Sequence, residues 1–188
     1  MAESGLTNLS RAPFCSETIL GSLGSQITPT ESFYIRSHFS DVPELDPDTW
    51  RLQIEGLVSN PITLSLDDLR HMPSSELVIT LECAGNSRSY VNPPAEGLPF
   101  RHGAVGTARW KGVPLQTVLE EAGVFESARE VLFEGADVGE EEEGGTTFDL
   151  PYSRSLPLQK AIHQDTLLAY EMNGESLKPS HGYPVRLV

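Results

Sequence analysis

Basic residues are scarce in this 188-residue chain: 13 Lys and Arg stand against 27 Asp and Glu, a formal charge of −14. Nucleic-acid binders carry basic patches, and anionic membranes draw polybasic segments, so neither partner class is supported. Cysteine is scarcer still. Cys15 and Cys83 are the only two. With no CxxC pair, a disulfide framework and a multi-cysteine zinc site are excluded, and a reducing compartment is expected. No apolar run approaches the ~20 residues of a membrane helix. The opening ten residues lack a basic n-region and an apolar h-region, so no signal peptide is read and a cytoplasmic location is expected. The five histidines, His38, His71, His102, His163 and His181, show no local metal-ligand spacing. GxGxxG, P-loop, HExxH, GxSxG and EF-hand patterns are all missing.

What is there is globular in composition: 38% apolar and 21% charged residues, too apolar for a disordered chain. Residues 1–30 lack periodicity and read as an irregular arm; residues 31–188 read as one domain. Trp50, Leu52 and Ile54 alternate with polar residues, a half-buried strand ending at Gly56. Ser65 with Asp67 and Asp68 caps a short helix that stops near Pro73. Leu77–Leu81 is a strand, and Leu115, Val118, Leu119 and Ala122 form a helix face stopped by Gly123. Val131–Phe133 is a strand, and Leu156–Ile162 a short helical segment. Leu167–Met172 is a strand leading into an Asn173-Gly174 turn, and a further strand begins at Pro184. The acidic stretch from Gly139 to Gly145 reads as a solvated loop. Strands mixed with short helices, without a regular βαβ rhythm, predict an α+β fold with a mixed sheet.

Cys83 lies where a strand gives way to the loop Cys83-Ala84-Gly85-Asn86-Ser87-Arg88. An isolated cysteine is commonly a buried structural residue. Here the small Ala84 and Gly85 let another body approach the sulfur, Asn86 can take a left-handed turn, and Arg88 brings a cation that favours the thiolate. The thiolate is the form that ligates soft metals. One thiolate cannot hold a metal alone, so the other ligands would come from a cofactor.

Five blocks, in order, resemble the sulfite oxidase family of mononuclear molybdenum enzymes with a pterin cofactor. They are Phe33-Tyr34-Ile35-Arg36-Ser37-His38, Cys83-Ala84-Gly85-Asn86-x-Arg88, Gly97-Leu98-Pro99-Phe100, the Gly103–Gly112 segment, and His181-Gly182-Tyr183-Pro184-Val185-Arg186. The resemblance implies the sulfite-oxidase-type molybdopterin-binding fold. It also implies that Cys83 ligates molybdenum beside the two pterin dithiolene sulfurs, and that Ile35, Arg36, Ser37 and His38 contact the cofactor. Asp137 would contact the pterin, and His181 and Arg186 would hold the cofactor, an arginine fork suiting a phosphate. Arg36 and Arg88 would line an oxyanion pocket, so that with Cys83 they form the implied catalytic set. Read without the family, Arg36 and His38 are surface residues, Asp137 belongs to the acidic loop, and His181–Pro184 is an ordinary turn. Two positions depart from the family pattern: Ser37 replaces an asparagine, and Phe100 stands where animal and plant members carry tryptophan.

The implied reaction is oxidation of sulfite to sulfate by oxo transfer, with an external electron acceptor such as a cytochrome. Two alternatives stand beside it: a reductase of the same fold acting on a sulfoxide or nitrate, and a cofactor-free protein that only binds a partner. The charge of −14 does not oppose an anionic substrate. One charge pair at ~4 Å is worth about 4 kcal/mol at an effective dielectric of 20, whereas carboxylates beyond ~8–10 Å are largely screened. The acidic exterior would favour a cationic electron-transfer partner. Family members continue past the equivalent of Val188 into an immunoglobulin-like dimerisation domain. The chain is therefore expected to be the larger, N-terminal part of the cofactor domain, with a homodimer in a full-length form.

Overall fold

The computed structural model describes residues 5–188. In chain order the elements are β1 (Leu6–Arg11), β2 (Phe14–Thr18), β3 (Ile35–Arg36), β4 (Leu52–Ile54), β5 (Ile62–Leu64), α1 (Leu66–His71), β6 (Ser75–Glu82) and β7 (Val105–Pro114). They continue with α2 (Leu115–Ala122), β8 (Glu130–Glu143), β9 (Thr146–Pro157), α3 (Leu158–Ala161), β10 (Leu167–Met172), β11 (Glu175–Ser176) and β12 (Arg186–Leu187). Sheets with a few short helices make this an α+β fold, as expected. One sheet has the order β11-β10-β7-β6 with β12 also on β10; β4 pairs with β5, and β8 with β9. The chain divides into two compact units, one formed by the residues up to Val42 with Val78–Arg109 and Asp137–Leu150, the other by Pro43–Leu77, Trp110–Ala136 and Pro151–Val188.

In the first unit β1, β2 and β3 form a sheet in that order, with Cys15 opposite Arg36 and Ser16 opposite Ile35. The expectation of an irregular arm is therefore corrected: residues 6–18 are a hairpin, while residues 1–4 lie outside the described ones. The strand signal was hidden because Cys15, Ser16, Glu17 and Thr18 are all buried, leaving no apolar–polar alternation to read. Buried Glu17 accepts hydrogen bonds from the Arg101 backbone N–H (2.7 Å) and from its Nε (2.6 Å). The same carboxylate, through this bond and its charge, raises the Arg101 pKa above its ordinary value. Cys15, Phe100 and Ala104 make a small core, with Leu9, Tyr34, Leu98 and Cys83 packed on it.

The acidic stretch also differs from expectation. β8 runs through to Glu143 and returns as β9 after Gly144 and Gly145, whose φ angles of +60° and +80° suit a two-residue hairpin turn. Glu140, Glu141 and Glu142 stay exposed, so the run is solvated, but as a strand.

The second unit is centred on Leu64, Leu66, Leu69, Val113, Leu115, Val118, Leu119, Ala161, Leu168 and Tyr170. Here the sequence patterns translate closely. α1 begins at a capping box: Ser65 Oγ accepts from the Asp68 N–H while the Asp68 carboxylate accepts from the Ser65 N–H. Gly123 ends α2 at φ +68°. The hydrogen bonds from Ser65, side chain first and then backbone, hold the Asp68 carboxyl below its ordinary value of 3.8. A carboxyl so lowered favours the folded state above its unfolded pKa, and that contribution is lost as pH falls through the folded value. Asp68→Asn is thus expected to lower the thermal midpoint at pH 7. In scanning calorimetry the gap to the parent should close as pH drops below 3.8; a gap that persists in acid would contradict this account.

β7 was not foreseen, because its glycines break the alternation. A Cβ at Gly106 would come within 2.6 Å of the Phe33 ring. One at Gly112 would strike the Leu168 carbonyl across the β7–β10 pair. Both glycines mark places where neighbours approach the backbone closely.

Candidate active site

β6 has a strictly alternating burial pattern and delivers Cys83 half-buried at its end. The Cys83 N–H donates to the Ala104 carbonyl at 2.9 Å. The chain then turns back on itself: the Asn86 N–H donates to the Cys83 carbonyl at 2.8 Å, and the Gly85 N–H donates to Cys83 Sγ at 3.4 Å. The left-handed residue of the loop is Ser87, at φ +66°, and not Asn86. Asn86 serves through its side chain instead. Its Oδ1 accepts the Ala104 N–H at 3.1 Å, and its Nδ2 donates to Glu82 Oε1 at 2.8 Å.

Arg88 opens a short 3-10 turn, and its Nη1 donates to the Leu98 carbonyl at 3.5 Å. Its guanidinium lies directly over two glycines. A Cβ at Gly85 would sit 3.0 Å from Arg88 Cζ, and one at Gly97, at φ +108°, would collide with Nη1. The glycines of these two sequence blocks are therefore the floor on which the arginine rests. Beside them, Ser87 Oγ is 2.9 Å from His102 Nδ1, and Tyr90 stacks on the His102 ring with centroids 4.5 Å apart. Sequence reasoning did not single out this Ser87–His102–Tyr90 group.

The 35–38 segment belongs to the same unit. Ile35 is buried, Arg36 is exposed with Nη1 donating to the Ser37 carbonyl, and Ser37 also receives the Cys15 thiol at 3.6 Å. His38 is half-buried, and its Nε2 pairs with Glu141 Oε1 on β8 at 2.5 Å. Asp137 lies half-buried on the same strand, four residues before Glu141. Cys83 and Tyr34 both pack on the core of Cys15, Phe100 and Ala104, so the cysteine loop and the start of the 34–38 segment share one cluster.

His181 and Arg186 lie in the second unit, where the structure joins them to each other. His181 is 3% exposed. Arg186 Nη1 donates to its carbonyl at 3.2 Å, and the guanidinium covers the Trp110 ring at 5.0 Å. Gly182, at φ +91°, leaves room for the Arg186 side chain. Both cysteines are free thiols. Among the described residues no three His, Cys, Asp or Glu side chains are grouped to hold a metal, and no helix is long and apolar enough to cross a membrane.

Comparison with known proteins identifies the family. The family model described as "Oxidoreductase molybdopterin binding domain" matches residues 38–188. Mitochondrial sulfite oxidase of Rattus norvegicus is 46% identical over 171 residues, covering 87% of this chain and 30% of that protein. Nitrate reductase [NADH] 1 of Nicotiana tabacum is 39% identical over 187 residues, covering 94% of this chain and 20% of that protein. Among solved structures, the sulfane dehydrogenase SoxCD of Paracoccus pantotrophus superimposes with a TM-score of 0.82 at 30% identity, over 100% of this chain and 46% of the matched one. The chain thus spans less than a third of the rat and tobacco proteins. With a family match over most of its length, the chain belongs to the oxidoreductases with a molybdopterin binding domain, and within them it is sulfite oxidase-like.

Proposed function

We propose that this chain supplies protein ligands of a Mo-molybdopterin site that oxidises sulfite to sulfate. Cys83 carries the reading. It is a half-buried thiol on a turn whose own amide donates to the sulfur, as suits a sulfur that bears negative charge when it ligates a metal. The donor set fits the group: one soft protein sulfur is available, and the remaining ligands would be the dithiolene sulfurs of the pterin. The cofactor, when bound, supplies the two-electron oxo-transfer chemistry, and an external acceptor takes the electrons.

The chain's own residues bind and orient. Arg88, seated on Gly85 and Gly97, offers its fork to a small oxyanion, and Arg36 adds a second guanidinium. Ile35, Ser37 and His38 would line the cofactor, with His38 held by Glu141. The half-buried Asp137 carboxylate would accept hydrogen bonds from the pterin. The resemblance adds His181 and Arg186 as residues that would hold the cofactor, and Arg186 is braced by the Trp110 ring.

A second reading, reduction of nitrate, rests on the 39% identity to the tobacco nitrate reductase. Both readings are tested together. Protein purified from cells that make the cofactor should carry close to one molybdenum per chain by elemental analysis, and Cys83→Ser, in which the pterin would still hold the metal, should lose the protein sulfur from the molybdenum shell by X-ray absorption and at least ~90% of turnover. Turnover of sulfite, nitrate and a sulfoxide by the parent then assigns the substrate. Parent protein without metal, or Cys83→Ser with an unchanged molybdenum shell and turnover, overturns the site.

A further inference from the structure

We infer that Asn86 is a positioning residue, one that fixes the Cys83 thiol for metal ligation through a side-chain clamp on the Ala104 backbone. The inference rests on the proposed role of Cys83 and adds a residue that sets how the sulfur is presented. Ala104 is fully buried, and both of its backbone polar groups are taken by the cysteine turn. Its carbonyl accepts the Cys83 N–H at 2.9 Å, and its N–H donates to Asn86 Oδ1 at 3.1 Å.

Asn86 thereby takes the place of the backbone carbonyl that a continuing strand would have offered to Ala104. The other half of the amide donates to Glu82 Oε1, the residue just before the cysteine. Cys83 is therefore flanked by two groups, Glu82 and Ala104, bound to one planar amide. The Asn86 N–H closes the turn on the Cys83 carbonyl, which places the Gly85 N–H against Sγ. Only Asn has the donor and the acceptor at this reach. Asp retains the acceptor alone and sets a second carboxylate against Glu82; Ala has neither and leaves the buried Ala104 N–H unpaired.

The test reads the thiol directly, in addition to metal. Cofactor-free protein, from cells unable to make the pterin, is treated with iodoacetamide under native conditions, and labelling is located by mass spectrometry. Cys15 is fully buried and serves as an internal control for unfolding. Asn86→Ala and Asn86→Asp are expected to raise the rate of Cys83 labelling by about 3–10-fold while Cys15 stays unlabelled. In protein from cofactor-making cells both should speed the loss of molybdenum during dialysis by up to about tenfold, the lower end of the range for residues that orient metal ligands. Asn86→Ala should exceed Asn86→Asp in both readouts, and Glu82→Gln, which keeps an acceptor, should leave both near the parent. Parent-like labelling and metal retention in both Asn86 variants overturn the inference. Should the parent itself bind no molybdenum, the functional reading fails separately, and the labelling rates still decide the clamp.

Discussion

Trp110→Ala is expected to lower the thermal midpoint of this protein by roughly 6–20 °C. The side chain is fully buried on β7, opposite Met172 on β10. Truncating a buried Trp costs about 3–5 kcal/mol in lost transfer and cavity, and each kcal/mol moves the midpoint of a chain this size by about 2–4 °C. The Arg186 guanidinium over the ring loses its platform as well, a contact of about 0.5–2 kcal/mol. Trp110→Phe retains an aromatic face under Arg186 and much of the volume, so its midpoint should fall by less than half as much. Calorimetry on the two variants decides this, and a shift under ~2 °C for the alanine variant would contradict a structural role for the ring. A functional consequence follows from the same contact. With the ring gone, Arg186 loses that platform and keeps its hydrogen bond to the His181 carbonyl; on the cofactor-holding role proposed for Arg186, cofactor retention should fall further in Trp110→Ala than in Trp110→Phe.

The elements that sequence pattern located are those with local punctuation. β10 coincides with the Leu167–Met172 run because Asn173 and Gly174, at φ +54° and +84°, end it sharply. α1 is announced by the Ser65–Asp68 box and α2 is stopped by Gly123. The elements that were missed are set by distant partners. β2 is polar in sequence and buried because Glu17 meets Arg101, 84 positions away. β7 is cut by glycines whose reason is Phe33 on one side and Leu168 on the other.

The site divides the same way. Cys83 and Arg88 are visible as residue types in a suggestive loop, and the family pattern supplies their implied roles. What the loop does with them is not local. The left-handed position falls on Ser87 because its N–H reaches back to the Arg101 carbonyl at 2.5 Å. Asn86 is committed to Ala104, 18 positions away. Asp137 and Glu141 reach the site's unit because β8 continues through the acidic run that composition alone marks as loop.

The glycine floor beneath Arg88 yields the largest expected effect on catalysis. Arg88→Met removes the charged fork while keeping a long side chain, and loss of a charge-assisted bond to an oxyanion costs about 2–5 kcal/mol. At ~1.4 kcal/mol per factor of ten, kcat/KM in the proposed oxidation of sulfite should fall by about 30-fold to 4,000-fold. Gly97→Ala tests position without touching charge. Its new Cβ would collide with Arg88 Nη1, and φ +108° at this residue is a conformation that L side chains rarely adopt. Because the obstructed atom is the tip of a flexible side chain, the protein can yield by moving the guanidinium off the floor. The alanine variant should therefore raise KM for sulfite by about tenfold while retaining its molybdenum and most of its kcat, since Cys83 and the Gly85 amide are untouched. Arg88→Met combined with Gly97→Ala should lose less kcat/KM than the two single losses multiplied together, because the methyl group then has no guanidinium to displace, while the backbone strain at φ +108° is the same in both backgrounds. Additive losses in the double variant would show that Gly97 acts on the site by some route other than Arg88.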